Sequence, residues 1–432
     1  MTTVLPNSAG TDEPTGAAVS APAVPATALT ATVPVTPAPS NPVYEYIEAH
    51  AEELFAQGAE AEKIGRLTDT TVRILREAEA MRMFQPAEYG GLEYRPRQFA
   101  ETVMRLASLD PAAGWVLGVC GVHPWQLAYN DTRVQDEVWG TDSSTWMASP
   151  YMPGGLLVPQ EDGTYHFSGR WQFSSGTDHC RWAFLGGMLA TPEGEMAQPP
   201  QMVHVIVPRG DYEIIEDSWD VVGLRGTGSK DLVIAGCTVP DYRVMTWEDV
   251  SSGEGQARSG RTETLYRMPW SAMFPLGITA ATVGICEGLL RLAQEYQTAR
   301  IDANGGRVTE DPQTMYQFAE LSADLRAARA ELLANADELW ELTEAQGEVD
   351  FARRAQGRAT QVRAAWRAVH AANEIFARCG GNALRMDQPM QRFWRDAQAG
   401  IHHAIHAANT VYHAAGLSAL GVEPEGPLRK LI

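Results

Sequence analysis

The chain has 432 residues, enough for one large domain or two to three packed ones, and is 44% hydrophobic and 20% charged, the make-up of an ordinary globular protein. A net charge of -20 opposes nucleic acid and anionic membrane surfaces as general partners, so an anionic ligand needs a local basic pocket. The five cysteines are far apart and form no CxxC, which points to a reduced, cytoplasmic setting and away from a Cys-based zinc site, and no apolar run reaches the roughly 18–20 residues that span a bilayer.

Residues 1–41 are rich in Ala, Pro, Thr and Val and contain no Lys or Arg, which predicts a disordered tail rather than a signal or transit peptide. Residues 42–145 read as an N-terminal helical domain. Tyr44, Ile47, Ala51, Leu54 and Phe55 recur at spacings of three and four, and Thr68 stands as a cap before a helix. Pro86–Leu92 is a turn, and Pro111–Leu127 reads as a buried helix carrying His123. Residues 146–248 change to short alternating runs split by Gly, Pro, Asp and Ser, the pattern of a β-domain of sandwich or barrel type. Within it, Trp219–Pro240 reads as strand, glycine-dense bend and strand, with Arg225 and Ser229 among the donors around the bend. Residues 249–432 open on a polar loop over 248–261. Helical stripes follow near 272–299, 311–346, 351–379 and 389–415, an antiparallel bundle.

Four constellations could carry chemistry. His123 in its apolar helix is either a hydrogen-bonded core residue or a polar point in an apolar pocket, such as a partner for a phenol hydroxyl. Ser149 lies in a turn entering the β-domain. Ser174 and Ser175, before a Gly at a strand end, either cap backbone or donate to a ring heteroatom, and the following Asp178-His179 pair reads better as surface pairing than as acid/base machinery. Finally, His402, His403, His406 and His413 crowd one stretch, and His403, His406, Thr410 and His413 would share a helical face. No HExxH is present, and Asp396 is more naturally paired with Arg392 or Arg395, so a metal site is disfavoured. Rossmann, P-loop and α/β-hydrolase motifs are missing.

Several stretches together resemble the acyl-CoA dehydrogenase superfamily. They are Phe84–Leu92, Gly114–Ala128, Gly169–His179, Val221–Ser229, Tyr266–Trp270 and Gln391–Ala397. Within that superfamily the chain is similar to the oxygenase components of two-component flavin-dependent (group D) monooxygenases, nearest to the branches that hydroxylate 3-hydroxy-9,10-secoandrostatriene-dione and p-hydroxyphenylacetate. The resemblance implies an acyl-CoA dehydrogenase-like fold and a homotetramer. It implies FMNH2 (FADH2 possible) from a separate NAD(P)H-flavin reductase, O2, and a C4a-hydroperoxyflavin that hydroxylates a phenol ortho to its OH. It places Ser175, with Ser174 second, at flavin N5, and His403 by the peroxide, with His402 or His406 as the register alternatives. His123 and Ser149 fall at the phenol oxygen, where they would favour the phenolate, and Arg267 toward the flavin pyrimidine.

The rival on the same fold is an acyl-CoA dehydrogenase, which needs a carboxylate base for the α-proton of a thioester. Ala397–Ala415 contains no Asp or Glu. Sulfur or nitrogen oxidation on the same scaffold would not need His123. A silent partner-binding scaffold would not bind flavin.

Overall fold

The computed structural model describes residues 40–302, 304–430 and 432; the expected tail lies, up to residue 39, outside them. The first helices are set by caps and apolar stripes. Helix α1 (Pro42–Ala49) starts at Asn41, whose side chain accepts from Tyr44 N and donates to Gln98 O and Thr102 Oγ1. Helix α2 (Ala51–Ile64) follows, and α3 (Asp69–Glu77) starts at Thr68, which accepts from Thr71 N at 3.2 Å. Helix α4 (Pro96–Leu109) leads into α5 (Pro111–Cys120), capped by Asp110, with Pro111 at the first helical position. The expected single helix over Pro111–Leu127 is broken after Cys120 and resumes as α6 (His123–Leu127), with α7 (Thr132–Trp139) beyond.

The strands are β1 (Met147–Ala148), β2 (Gly155–Pro159), β3 (Tyr165–Ser174), β4 (Trp182–Leu189), β5 (Met202–Pro208), β6 (Glu213–Ile215), β7 (Lys230–Val239) and β8 (Val244–Thr246). Among the described residues they form one mixed sheet in the order β6-β7-β3-β2-β4-β5-β8, with β1 parallel beside β4. Phe167, Trp171, Leu185, Val205, Leu232 and Ile234 converge on one cluster, so the sheet encloses a core of its own.

The Trp219–Pro240 stretch differs from expectation. Val221 and Val222 are not a strand; β6 is the partner of β7, and the glycine-dense stretch is a loop between them. Its conformation is imposed from the C-terminal helices. Leu224, at φ +55, donates its N–H to Asp396 Oδ1 at 2.5 Å. Arg395 donates to Val222 O at 2.7 Å and pairs with Glu62 at 2.6 Å. A Cβ on Gly223 would collide with the Arg395 carbonyl. Asp396 therefore caps backbone rather than pairing with a neighbouring arginine. Burial raises its carboxyl to about 7.

The expected polar loop over 248–261 folds into α8 (Trp247–Ser252) and α9 (Glu254–Ser259), which meet at Gly253 at φ +83. Then come α10 (Thr264–Arg267), α11 (Trp270–Met273), α12 (Leu276–Ala299), α13 (Pro312–Gln346), α14 (Phe351–Arg378), α15 (Pro389–Ile401), α16 (Ala408–Ala419) and α17 (Pro427–Lys430). Trp270–Ala299 is long and apolar enough to cross a membrane by composition, but 83% of its most apolar window is buried inside the protein. It is the core of the bundle, where each fully buried Leu or Ile contributes ~1.5–3 kcal/mol. Helix α5 lies on α12 backbone to backbone: a Cβ on Gly118 would stand 2.5 Å from Gly277 O, and one on Gly277 would strike Gly118 O.

The expected last helix is interrupted. Helix α15 stops at Ile401, His403 is extended (φ -62, ψ 139), and Ala404–His406 form a single 3-10 turn before α16. The bend closes on imidazoles: His403 Nδ1 accepts from Ile405 N at 3.2 Å, and His406 Nδ1 meets Gly400 O at 3.1 Å. The four residues expected on one helical face therefore do not share one.

Candidate functional site

The end of β3 carries a register shift between Trp171 and Ser174, where the strand leaves β7. Phe173 sits there at φ +64 with its ring 67% exposed, edge-on to Trp219. A bulky residue in that region costs ~1–3 kcal/mol, and such strain gathers at functional sites. Ser174, next along, is buried with no partner for its hydroxyl. Ser175 heads a one-way chain. Thr227 Oγ1 donates to Leu224 O, so it accepts from Ser229; Ser229 then accepts from Ser175, and Ser175 accepts from Trp115 Nε1 at 3.2 Å. Each hydroxyl has one proton. Ser175 has spent its own toward Ser229 and faces any ligand as an acceptor.

Across the Trp115 ring from Ser175 stands His403, with ring centroids 5.8 Å apart. Gly400 leaves the space: a Cβ there would lie 3.2 Å from Trp115. Burial pushes the His403 imidazolium down to about 4, so the ring is neutral near pH 7. The neighbouring histidines are differently occupied. His406 is buried with Nε2 on Thr279 Oγ1 at 3.3 Å and Nδ1 on Gly400 O, and His402 is exposed with Nδ1 on Gln398 O.

Helix α6, the continuation of α5, carries His123 into an aromatic cage. Its ring lies 5.7 Å from those of Tyr151 and Phe184. Tyr151 stacks on His204 at 4.4 Å and touches Phe274 at 4.8 Å. Tyr151 donates to Gln126 Oε1 at 2.5 Å, and its oxygen lies 3.3 Å from His123 Nδ1. Burial drives both His123 and His204 down to about 3. The Nε2 atoms of both histidines are buried without a partner. Ser149 is half-buried two residues before Tyr151, and its hydroxyl has no hydrogen bond among the described residues. Arg267 reaches toward Gly347 at the end of α13 and donates to Thr264 Oγ1, while its Nε is buried without a partner. Asp178 accepts from Lys230 at 2.7 Å, a structural pair rather than an acid/base couple. Among the described residues no group of three or more His, Cys, Asp or Glu side chains could hold a metal ion.

The structure thus brings Ser175 and His403 against Trp115, with Ser174 next to Ser175 in the chain, and leads from there along α5 to His123 on α6. Trp115, Gln126, Tyr151 and His204 complete these groups, although sequence reasoning did not single them out. A histidine inside the apolar run Met202–Pro208 was the one signal for His204.

A helical–sheet–helical enzyme with paired hydroxyls and neutral imidazoles is the class that fold and site define. The family model for the acyl-CoA dehydrogenase C-terminal domain matches residues 276–408. A pigment production hydroxylase of Rhodococcus erythropolis is 62% identical over 90% of this chain and 99% of its own. The flavin-dependent monooxygenase oxygenase subunit HsaA of Mycobacterium tuberculosis is 38% identical over 84% of this chain and 91% of its own. The crystal structure of 3-HSA hydroxylase from Rhodococcus sp. RHA1 superposes with a TM-score of 0.85 at 34% identity, covering 91% of this chain and 99% of that one. The chain belongs to the oxygenase components of two-component flavin-dependent monooxygenases, built on the acyl-CoA dehydrogenase fold.

The residues present fit a reduced flavin. Ser174 offers an orphaned buried hydroxyl, Ser175 an acceptor, and Trp115 and His403 a pair of neutral rings set edge to face. Residues 397–415 carry no carboxylate to serve as a dehydrogenase base on that segment.

Proposed function

We propose that the chain hydroxylates a bulky phenol ortho to its hydroxyl, using FMNH2, with FADH2 as the alternative, and O2. The observation that carries this is the buried, unpartnered Nε2 of His123 inside a cage of rings, on the helix that follows directly after the one carrying Trp115, the partner of Ser175. When bound, reduced flavin supplies oxygen activation. Ser175, as an acceptor, suits the N5–H of a reduced ring and not the bare nitrogen of an oxidised one. His403 is neutral near pH 7 and holds or passes a proton beside Trp115. His123 accepts the hydrogen bond of the phenol hydroxyl. With its conjugate acid at about 3, it does not strip the proton from a phenol near 10. Ser149 adds a second contact to that oxygen, and the rings exclude water. Arg267 offers its unpartnered Nε to the flavin pyrimidine. A homotetramer in a cytoplasmic setting completes the reading, the latter supported by five free cysteines.

The test is incubation with chemically reduced FMN, O2 and a panel of phenols, followed by product mass. A product one oxygen heavier, ortho to the hydroxyl, is expected. Reoxidation of flavin with no oxygenated product, together with reduction of bound flavin by an acyl-CoA, would overturn the reading.

A further inference from the structure

Behind His123 lies a polar line that the functional reading does not use. Tyr151 Oη contacts His123 Nδ1 at 3.3 Å and Gln126 Oε1 at 2.5 Å, and Gln126 Nε2 contacts His204 Nδ1 at 3.1 Å. All four groups are set in apolar surroundings. His123, Gln126 and His204 are each about 1% exposed, and Tyr151 is pinned between the His204 and Phe274 rings. Buried polar atoms of this kind are kept where every proton in the line has a direction.

The direction follows from the donor inventory. Gln126 Oε1 only accepts, so the single Tyr151 proton goes to it. The Tyr151 oxygen is then left as an acceptor for His123, whose proton must stand on Nδ1. Gln126 Nε2 only donates, so His204 Nδ1 is the acceptor and the His204 proton stands on Nε2. We infer that Tyr151, Gln126 and His204 are positioning residues that fix His123 as its Nδ1–H tautomer, leaving Nε2 as a bare acceptor aimed at a donor hydroxyl of the substrate. A neutral imidazole in the other tautomer would present N–H to that hydroxyl and favour an ether or carbonyl oxygen instead. The relay therefore selects phenols over their ethers, and this selectivity rests on the phenol reading given above.

Two measurements on the full-length protein separate the two. Histidine labelled with heavy nitrogen, read by NMR with His123→Gln for assignment, reports the tautomer without any turnover. The expected result is Nδ1–H at His123 in the wild type, and a mixture or Nε2–H in Tyr151→Phe and Gln126→Leu. Nε2–H in the wild type, or a tautomer unmoved by both substitutions, overturns the relay. Binding of 2-naphthol and of its methyl ether, followed by fluorescence, reads the consequence. Tyr151→Phe is expected to weaken naphthol binding about fivefold while leaving the ether unchanged. Equal weakening of both ligands means a purely structural tyrosine and overturns the relay. A wild type that shows no preference for naphthol strikes the phenol reading, and the tautomer spectra then still decide the relay.

Discussion

The two ends of the α5–α6 segment serve the site in opposite ways. At Trp115 the surroundings are hydroxyls in a directed chain at a strained strand end, where Phe173 is left exposed. At His123 the surroundings are packed aromatic rings, and the polar atoms are few and enclosed. The first arrangement suits a cofactor that arrives from another protein and must leave again. The second suits a molecule that is recognised once, in a dry place. The lesson is that two successive helices, joined by a two-residue break, hold both halves in register while each half follows its own chemistry.

The largest expected break of this contrast is His123→Ala. It should lower kcat/KM for a phenol on the order of hundredfold and leave reduced-flavin affinity unchanged, measured by stopped-flow titration. Ser175→Ala should do the converse, weakening reduced flavin about five- to tenfold with little change in phenol binding. His403→Ala should release hydrogen peroxide at the expense of product. His406→Ala should keep the coupling but lose roughly 1–3 kcal/mol of stability in urea titration, because it leaves the buried Thr279 hydroxyl without its imidazole partner and takes one hydrogen bond from the Gly400 carbonyl.

The pH dependence sharpens the contrast further. The folded pKa values of His123, His204, His403 and His406 lie at about 3 to 4, below the ordinary 6.5. Unfolding therefore takes up protons, and stability should be full above about 6.5 and fall as pH drops toward 4. Asp396, raised to about 7, acts in the opposite sense: its contribution is present at low pH and is lost as pH rises through 7. Asp396→Asn should thus steepen the acid loss, read from denaturant midpoints across pH. The smallest effect is at Phe173, where Phe173→Gly should relieve ~1 kcal/mol of backbone strain and raise the melting temperature slightly.

Much of the layout was legible because period changes are legible. Helical spacing gives way to short alternating runs near residue 146 and returns after 248. Ser175 and His123 were legible as motif residues. The break after Ile401 was not, because no Pro marks it and Gly400 lies inside the helix; the bend is made by two imidazoles closing on nearby backbone. Val221 and Val222 read as a strand because their apolar character resembles one, yet Asp396 and Arg395, more than 170 residues on, hold that backbone in a loop. The Tyr151–Gln126–His204 line was invisible for a related reason. Strand β5 is buried on both faces, so alternation could not say which way His204 points.

The Gly118–Gly277 contact has a consequence for how this enzyme could change. Because α5 rests directly on the α12 main chain, neither helix can slide without losing the fit. The spacing between the Trp115 indole and the His123 imidazole is therefore a fixed ruler. New substrates would have to be admitted by trimming or enlarging rings such as Phe184 and Phe274. A directed-evolution library should accordingly collect its gains at those rings and show Gly118 and Gly277 untouched.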